Sequence, residues 1–175
     1  MSMPSSPRTL DPKAYSTMYE NHIMYNVLDT LFLWDKDYKE VIPSLATDYT
    51  VSDDGLTYTI NLRDDVYFQK GKFQDGRKMT ADDVVYSLER SKEESTTDRI
   101  CRDFFDYCEA ASPTQVVIHM KSVAGPFISQ LAGIGNAILP KEEVEGWGED
   151  FGSHIVGTGA FTLEETATDE KATLK

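Results

Sequence analysis

The feature that most constrains this chain is the run "YTVSDDGLTYTINLR", Tyr49 to Arg63. Apolar residues fall at Tyr49 and Val51, then at Leu56, Tyr58, Ile60 and Leu62, a period of two on both sides of Asp54-Gly55. That spacing puts alternate side chains on one face of a strand, and Asp-Gly between two such runs is a strong hairpin signal. Asp54 and Gly55 are therefore assigned to the turn, because glycine and aspartate tolerate the backbone geometry it needs. Calcium loops need further carboxylates at alternate positions and a later glutamate, which do not follow here.

A second local signal lies in "FQDGRKMTADDVVYSLER", Phe73 to Arg90. "QDGR" reads as a turn, and Thr80-Ala81-Asp82-Asp83 fits a capping box, in which Thr80 caps a helix and Asp83 reaches back to it. Ala81, Val84, Val85 and Leu88 then form the buried face, with Arg90 near the helix C-terminus, where a cation is favoured. The acidic pair starts a helix and has no catalytic or metal-binding part.

Elsewhere the signals are weaker. Residues 15–32 predict a helix running into a strand, with a tyrosine stripe (Tyr15, Tyr19, Tyr25) expected in the core. "LFLWDKDYKEVIPSLA" reads as two short strands, and "RICRDFFDYCEAA" has no clear period. "SPTQVVIHMK" is a turn into a strand. "PFISQLAG" is a short helix opened by Pro126 and ended by Gly133. "LPKEEVEGWGEDFG" reads as a helix and a glycine-rich loop, "GTGAFTLEE" as a turn into a strand, and "KATLK" as a further strand. Helices and strands mix without a βαβ rhythm, so the class is α+β.

Composition removes several functions. With 17 basic and 30 acidic residues the net charge is −13, which repels phosphate backbones and anionic lipid, so nucleic acid is not an expected partner. No run approaches the roughly 18 apolar residues of a spanning helix. Cys101 and Cys108, placed on one helix, would stand about 10 Å apart, too far for a disulfide; they read as small buried hydrophobes. His22, His119 and His154 form no metal pattern, and His119 reads as a structural strand residue. The Gly157-Thr158-Gly159 run leads to a strand rather than a helix, so it reads as a tight turn and not a phosphate loop. No catalytic residue, metal or cofactor is expected.

Taken in order, "LDP" (Leu10 to Pro12), "PSLATDYTVSDDGLTYTINLR" (Pro43 to Arg63), "DGRKMTADDVVYSLER" (Asp75 to Arg90), "LPKEEVE" (Leu139 to Glu145) and "VGTGAF" (Val156 to Phe161) resemble the solute-binding proteins of bacterial ABC importers. The group is the peptide/nickel-binding one, with its dipeptide- and oligopeptide-binding members. The chain departs from the family pattern at Ile155 and Ala160, where proline is usual, and in the lysine-rich insertion "QKGKFQDG". The resemblance implies one part of a two-lobed fold that closes on a ligand. Residues 1–175 would be a partial N-terminal lobe, with 1–8 cloning-derived or flexible. It implies a peptide or related solute, such as a nickel chelate, as ligand, an ABC permease as partner, and a place outside the membrane, lipid-tethered or periplasmic. Ser16, Thr17 and Met18, just after "LDP", are the implied ligand-facing segment, with Phe104 and Phe105 as further candidates. Self-association through an uncovered strand edge is a further expectation. The rival expectation is a self-contained cytoplasmic α+β hydrolase or protein-interaction domain.

Overall fold

A computed structural model describes residues 7–96, 99–167 and 171–175. Its centre is an antiparallel sheet of order β3-β4-β6-β5, built from Ala46–Val51, Thr57–Leu62, Gln115–Met120 and Phe105–Ser112. Two ribbons flank it, β1 (Phe32–Trp34) with β2 (Val41–Pro43), and β7 (Leu163–Ala167) with β8 (Lys171–Leu174). The helices are α1 (Met18–Val27), α2 (Ala81–Glu94), α3 (Arg99–Phe104), α4 (Phe127–Gln130) and α5 (Lys141–Trp147), with 3-10 turns at Ile134–Asn136 and Gly148–Ser153. Among the described residues every strand pair is antiparallel, which gives the α+β class its content.

The hairpin pairs Val51 with Tyr58 and Tyr49 with Ile60. Ser52 N–H donates to Thr57 O at 2.9 Å, so four residues make the connection. Gly55 has φ +71°, and the Asp54 carboxylate accepts from Ser52 Oγ and Leu56 N–H. The two strands fare differently. Tyr58, Ile60 and Leu62 are buried on β4, whereas Tyr49 and Val51 remain exposed, because β3 is the edge strand and the core stops short of it.

Helix α2 joins two apolar clusters. Val84 and Leu88 pack with Ile60, Val116, Ile118 and Phe105 over the sheet. Tyr86 faces the second cluster, which gathers Leu10, Met24, Leu28, Leu139, Val144 and Phe151. Thr80 and Asp83 form the capping box; Asp83 Oδ2 accepts the Thr80 N–H at 2.9 Å, and Arg77 donates to both Asp83 oxygens. The helix runs on past Arg90 to Glu94, so the expected pairing of Arg90 with the helix end is replaced by a contact with Asp11.

Four other expectations change. The aperiodic run 99–111 conceals a switch from helix to strand between Phe104 and Phe105. That switch puts Cys101 in α3 and Cys108 in β5 rather than on one helix; Cys108 is buried, and burial pushes its thiol up to about 12. Pro126 is the N-cap of α4, which is over by Leu131, while Gly133 opens the next 3-10 turn. The glycine-rich stretch after α5 is itself a 3-10 turn.

Two predictions follow from these local geometries. Thr80→Ala should cost about 1 kcal/mol. Asp83→Ala should cost about 2 kcal/mol, because a carboxylate 2% exposed holds both the cap and the partly solvated Arg77. Chemical denaturation measures both, and a chelator should leave the wild-type melting temperature in place. At the hairpin, Gly55→Val should destabilise on the order of 1–3 kcal/mol, since φ is positive and the added Cβ would lie 3.2 Å from Val123 Cγ2. Gly55→Asn, which tolerates positive φ, should cost less in the same melts.

Candidate functional site

The segment after Leu10-Asp11-Pro12 is held from below by three sets of contacts. Asp11 accepts from both ends of the Arg90 guanidinium at 2.9 and 2.7 Å, and the two side chains are 8% exposed each. Leu10 N–H donates to Gly152 O at 2.9 Å. Glycine at 152 is required, since a Cβ there would sit 2.0 Å from Thr9 Oγ1. Thr96 N–H donates to Lys13 O at 3.0 Å, which ties the loop to the residue just beyond the α2 cap.

Thr17 is the N-cap of α1, and with Glu20 it forms a full capping box. The Glu20 carboxylate is fully buried and accepts from Ser16 N–H at 2.7 Å and Thr17 N–H at 2.8 Å. It also accepts from Arg8 and Thr9 N–H. Burial pushes the Glu20 carboxyl up, but these four donors outweigh it and hold the group below the usual glutamate range. Its contribution to stability is therefore complete above the ordinary glutamate value and is lost as the pH falls through the depressed one. Ser16 is exposed, Thr17 half-buried, and Met18 has 73% of its surface open.

Met18, His22 and Tyr25 follow one another along the outer face of α1. Tyr25 continues into a cleft of about 330 Å³ lined by Leu33, Trp34, Asp35, Lys36 and Tyr38. The tyrosine stripe expected in the core is thus partly on the surface: Tyr25 is exposed and Tyr15 and Tyr19 are half-buried. The aromatic cleft is a feature that sequence reasoning missed. Its one advance signal was the polar "DKDY" turn, where Tyr38 takes φ +55° and stands 79% exposed. A second cleft, of about 630 Å³, opens between α2 and α5 with Lys13, Tyr86, Glu89 and Glu145 in its lining.

The Gly157-Thr158-Gly159 run crosses directly against α1. Neither glycine has positive φ; they are needed for close approach, since a Cβ on Gly157 would lie 2.3 Å from Val27 O and one on Gly159 2.7 Å from Asn26 O. Gly159 N–H donates to Val27 O, Thr158 Oγ1 to Asp29 Oδ2, and Gln69 Nε2 to the carbonyls of Gly159 and Phe161. The second candidate pair is not brought to this surface as a unit. Phe105 is a core residue, 1% exposed, with no face left for a ligand, and Phe104 is half-buried against the same cluster. Among the described residues no group of three or more His, Cys, Asp or Glu side chains stands where it could hold a metal ion, and no helix is long and apolar enough to cross a membrane.

The loop before α1 is pinned by buried carboxylates, and the C-terminal half of α1 reaches an open aromatic cleft through Tyr25. Residues 40–175 match the bacterial extracellular solute-binding proteins, family 5 (middle), and the chain belongs to that family. That match favours the solute-binding expectation over the rival one. The chain is 38% identical over 161 residues to the glutathione-binding protein GsiB of Salmonella typhi, covering 89% of itself and 30% of that relative. It superposes on DppA of Helicobacter pylori in complex with the peptide STSA with a TM-score of 0.87 at 24% identity, covering 97% of this chain and 37% of that one. NikZ of Campylobacter jejuni in complex with Ni(L-His) gives 0.75 at 27% identity, over 90% and 31%. The chain thus spans about a third of the length of the relatives it matches.

The buried pair at the base of the segment yields a test. Asp11→Ala should destabilise the chain by about 2 kcal/mol, because it removes two charge-assisted hydrogen bonds between side chains that are 8% exposed each. Amide exchange of Leu10 to Ala14 should accelerate more than that of β4. Equal protection in variant and wild type would deny the pair its anchoring part.

Proposed function

We propose that this chain forms one wall of the solute site of an ABC importer's binding component. It captures a peptide or a related small solute, such as a nickel chelate, outside the membrane for delivery to a permease. The observation that carries this reading is the match of residues 40–175 to an extracellular solute-binding family, combined with the pinned, surface-facing segment Ser16 to Met18. Relatives named for glutathione, peptide and Ni(L-His) support the range of ligand chemistry.

In this reading the residues act through exposed side chains and surface shape, not through bond-making. The Ser16 and Thr17 N–H groups are already engaged by Glu20, so the segment offers the solute its exposed Ser16 hydroxyl and the open Met18 side chain. The chain is a partial N-terminal lobe, and a second lobe supplies the opposing wall. Solute contacts with both walls favour the closed arrangement over the open one. A lipid tether at the membrane and self-association along the β3 edge belong to the same proposal.

Affinity provides the test. A single wall leaves charged solute ends in water, where an exposed ion pair contributes about 0–1 kcal/mol, against an association cost of at least about 4 kcal/mol. Calorimetry of this chain with glutathione and with Ser-Thr-Ser-Ala should give dissociation constants in roughly the millimolar range. Micromolar binding would place a complete site within these residues and overturn the half-site reading.

A further inference from the structure

Glu20 does more than cap a helix. A capping box asks the glutamate to accept one N–H, that of the N-cap residue Thr17. Here Oε2 accepts from Thr17 at 2.8 Å and Ser16 at 2.7 Å, while Oε1 accepts from Arg8 at 2.9 Å and Thr9 at 3.4 Å. One oxygen holds the beginning of the loop and the other its end, so the carboxylate joins Arg8 and Thr9 to Ser16 and Thr17. Only a charged acceptor fits. A glutamine amide would turn a donor toward two donors, and an apolar replacement would leave four N–H groups without the partner they now share.

We propose that Glu20 is a positioning residue for solute capture: its carboxylate fixes the two ends of loop 8–17 to each other and so sets where Ser16, Thr17 and Met18 meet the solute. The inference rests on the reading that this segment faces the solute. Glu20 itself is fully buried and acts only through the loop. The charged and titratable side chains on the elements joined here are Arg8, Asp11, Lys13 and Tyr15 of the loop, Tyr19 and His22 of α1, and Glu149, Asp150 and His154 in and next to the 3-10 turn that receives Leu10. The carboxylate is held by backbone donors and not by any of these side chains.

Amide-resolved NMR of this chain tests the proposal, with Ser-Thr-Ser-Ala at millimolar concentration as the probe. On acidification the amides of Arg8, Thr9, Ser16 and Thr17 should shift together with one midpoint below the ordinary glutamate range. Glu20→Gln should abolish that shared titration and weaken the peptide response of Ser16 to Met18 by roughly tenfold. Glu20→Ala should lose both, and added formate should restore the amide pattern and the peptide response in this variant while leaving wild type unchanged. Separate titrations of the four wild-type amides, or no effect of formate, would overturn the proposal. Equal peptide responses in wild type and Glu20→Gln would overturn it while leaving the ligand-facing segment in place. No peptide response at Ser16 to Met18 in wild type would overturn that segment assignment, and the proposal with it.

Discussion

A carboxylate removed from water must bring its partners with it, and this fold is organised around four that do. Asp11, Glu20, Asp83 and Glu143 are each at most 5% exposed. Asp11 takes Arg90, Asp83 takes Arg77 and the Thr80 cap, and Glu20 takes four loop amides. Glu143 accepts Phe73 N–H, Gln74 N–H and Trp147 Nε1, so it holds the lysine-rich insertion against α5. Leaving one such charge unpaired costs several kcal/mol, more than most single contacts contribute. Each carboxylate therefore acts as a fixed point that an otherwise irregular loop must meet.

These anchors explain how a chain with two separate apolar clusters behaves as one body. α2 carries Val84 and Leu88 into one cluster and Tyr86 into the other. The polar side chains along α2 complete the link. Ser87 Oγ accepts Leu139 N–H at 2.9 Å, and Ser91 Oγ donates to Asn136 Oδ1 at 3.0 Å, all in buried surroundings. Arg90 then reaches from the same helix to Asp11, so the loop before α1 inherits the rigidity of α2.

What could be read from the sequence was what neighbours in the chain decide. The Asp54-Gly55 hairpin and the Thr80-Asp83 box involve residues within a few positions of each other, and both formed. The anchors could not be read, because Asp11 and Arg90 lie 79 positions apart and Glu143 and Phe73 lie 70 apart. In sequence such acids look like surface charge, the more so in a chain of net charge −13. Burial is only partly legible for a similar reason. Period two predicts which face of β3 a side chain takes, but not that the strand lies at an edge where the core ends. Tyr49 shares a face with Ile60 and its ring meets Phe32 at 5.5 Å, yet 43% of its surface stays open. Phe104 and Phe105 show the opposite case, since a helix-to-strand switch between adjacent residues has no periodic signature.

If the loop before α1 is the proposed wall, the way it is held bears on how binding energy is used. A loop that ordered only on meeting solute would lose about 1–2 kcal/mol per residue in backbone entropy at that moment. Here residues 8–17 are already fixed by Glu20, Asp11 and the Gly152 contact, so that cost falls on folding. The Gly157-Thr158-Gly159 crossing extends the same body, because Gln69 clamps its carbonyls and Gly159 bonds Val27 at the end of α1. The segment before α1 and the chain that leads into β7 thus belong to one rigid unit. Solute contacts made at Ser16 to Met18 would then favour movement of this unit as a whole over local remodelling of the loop. A wall whose ordering is complete before encounter leaves more of the contact energy available to favour the closed state.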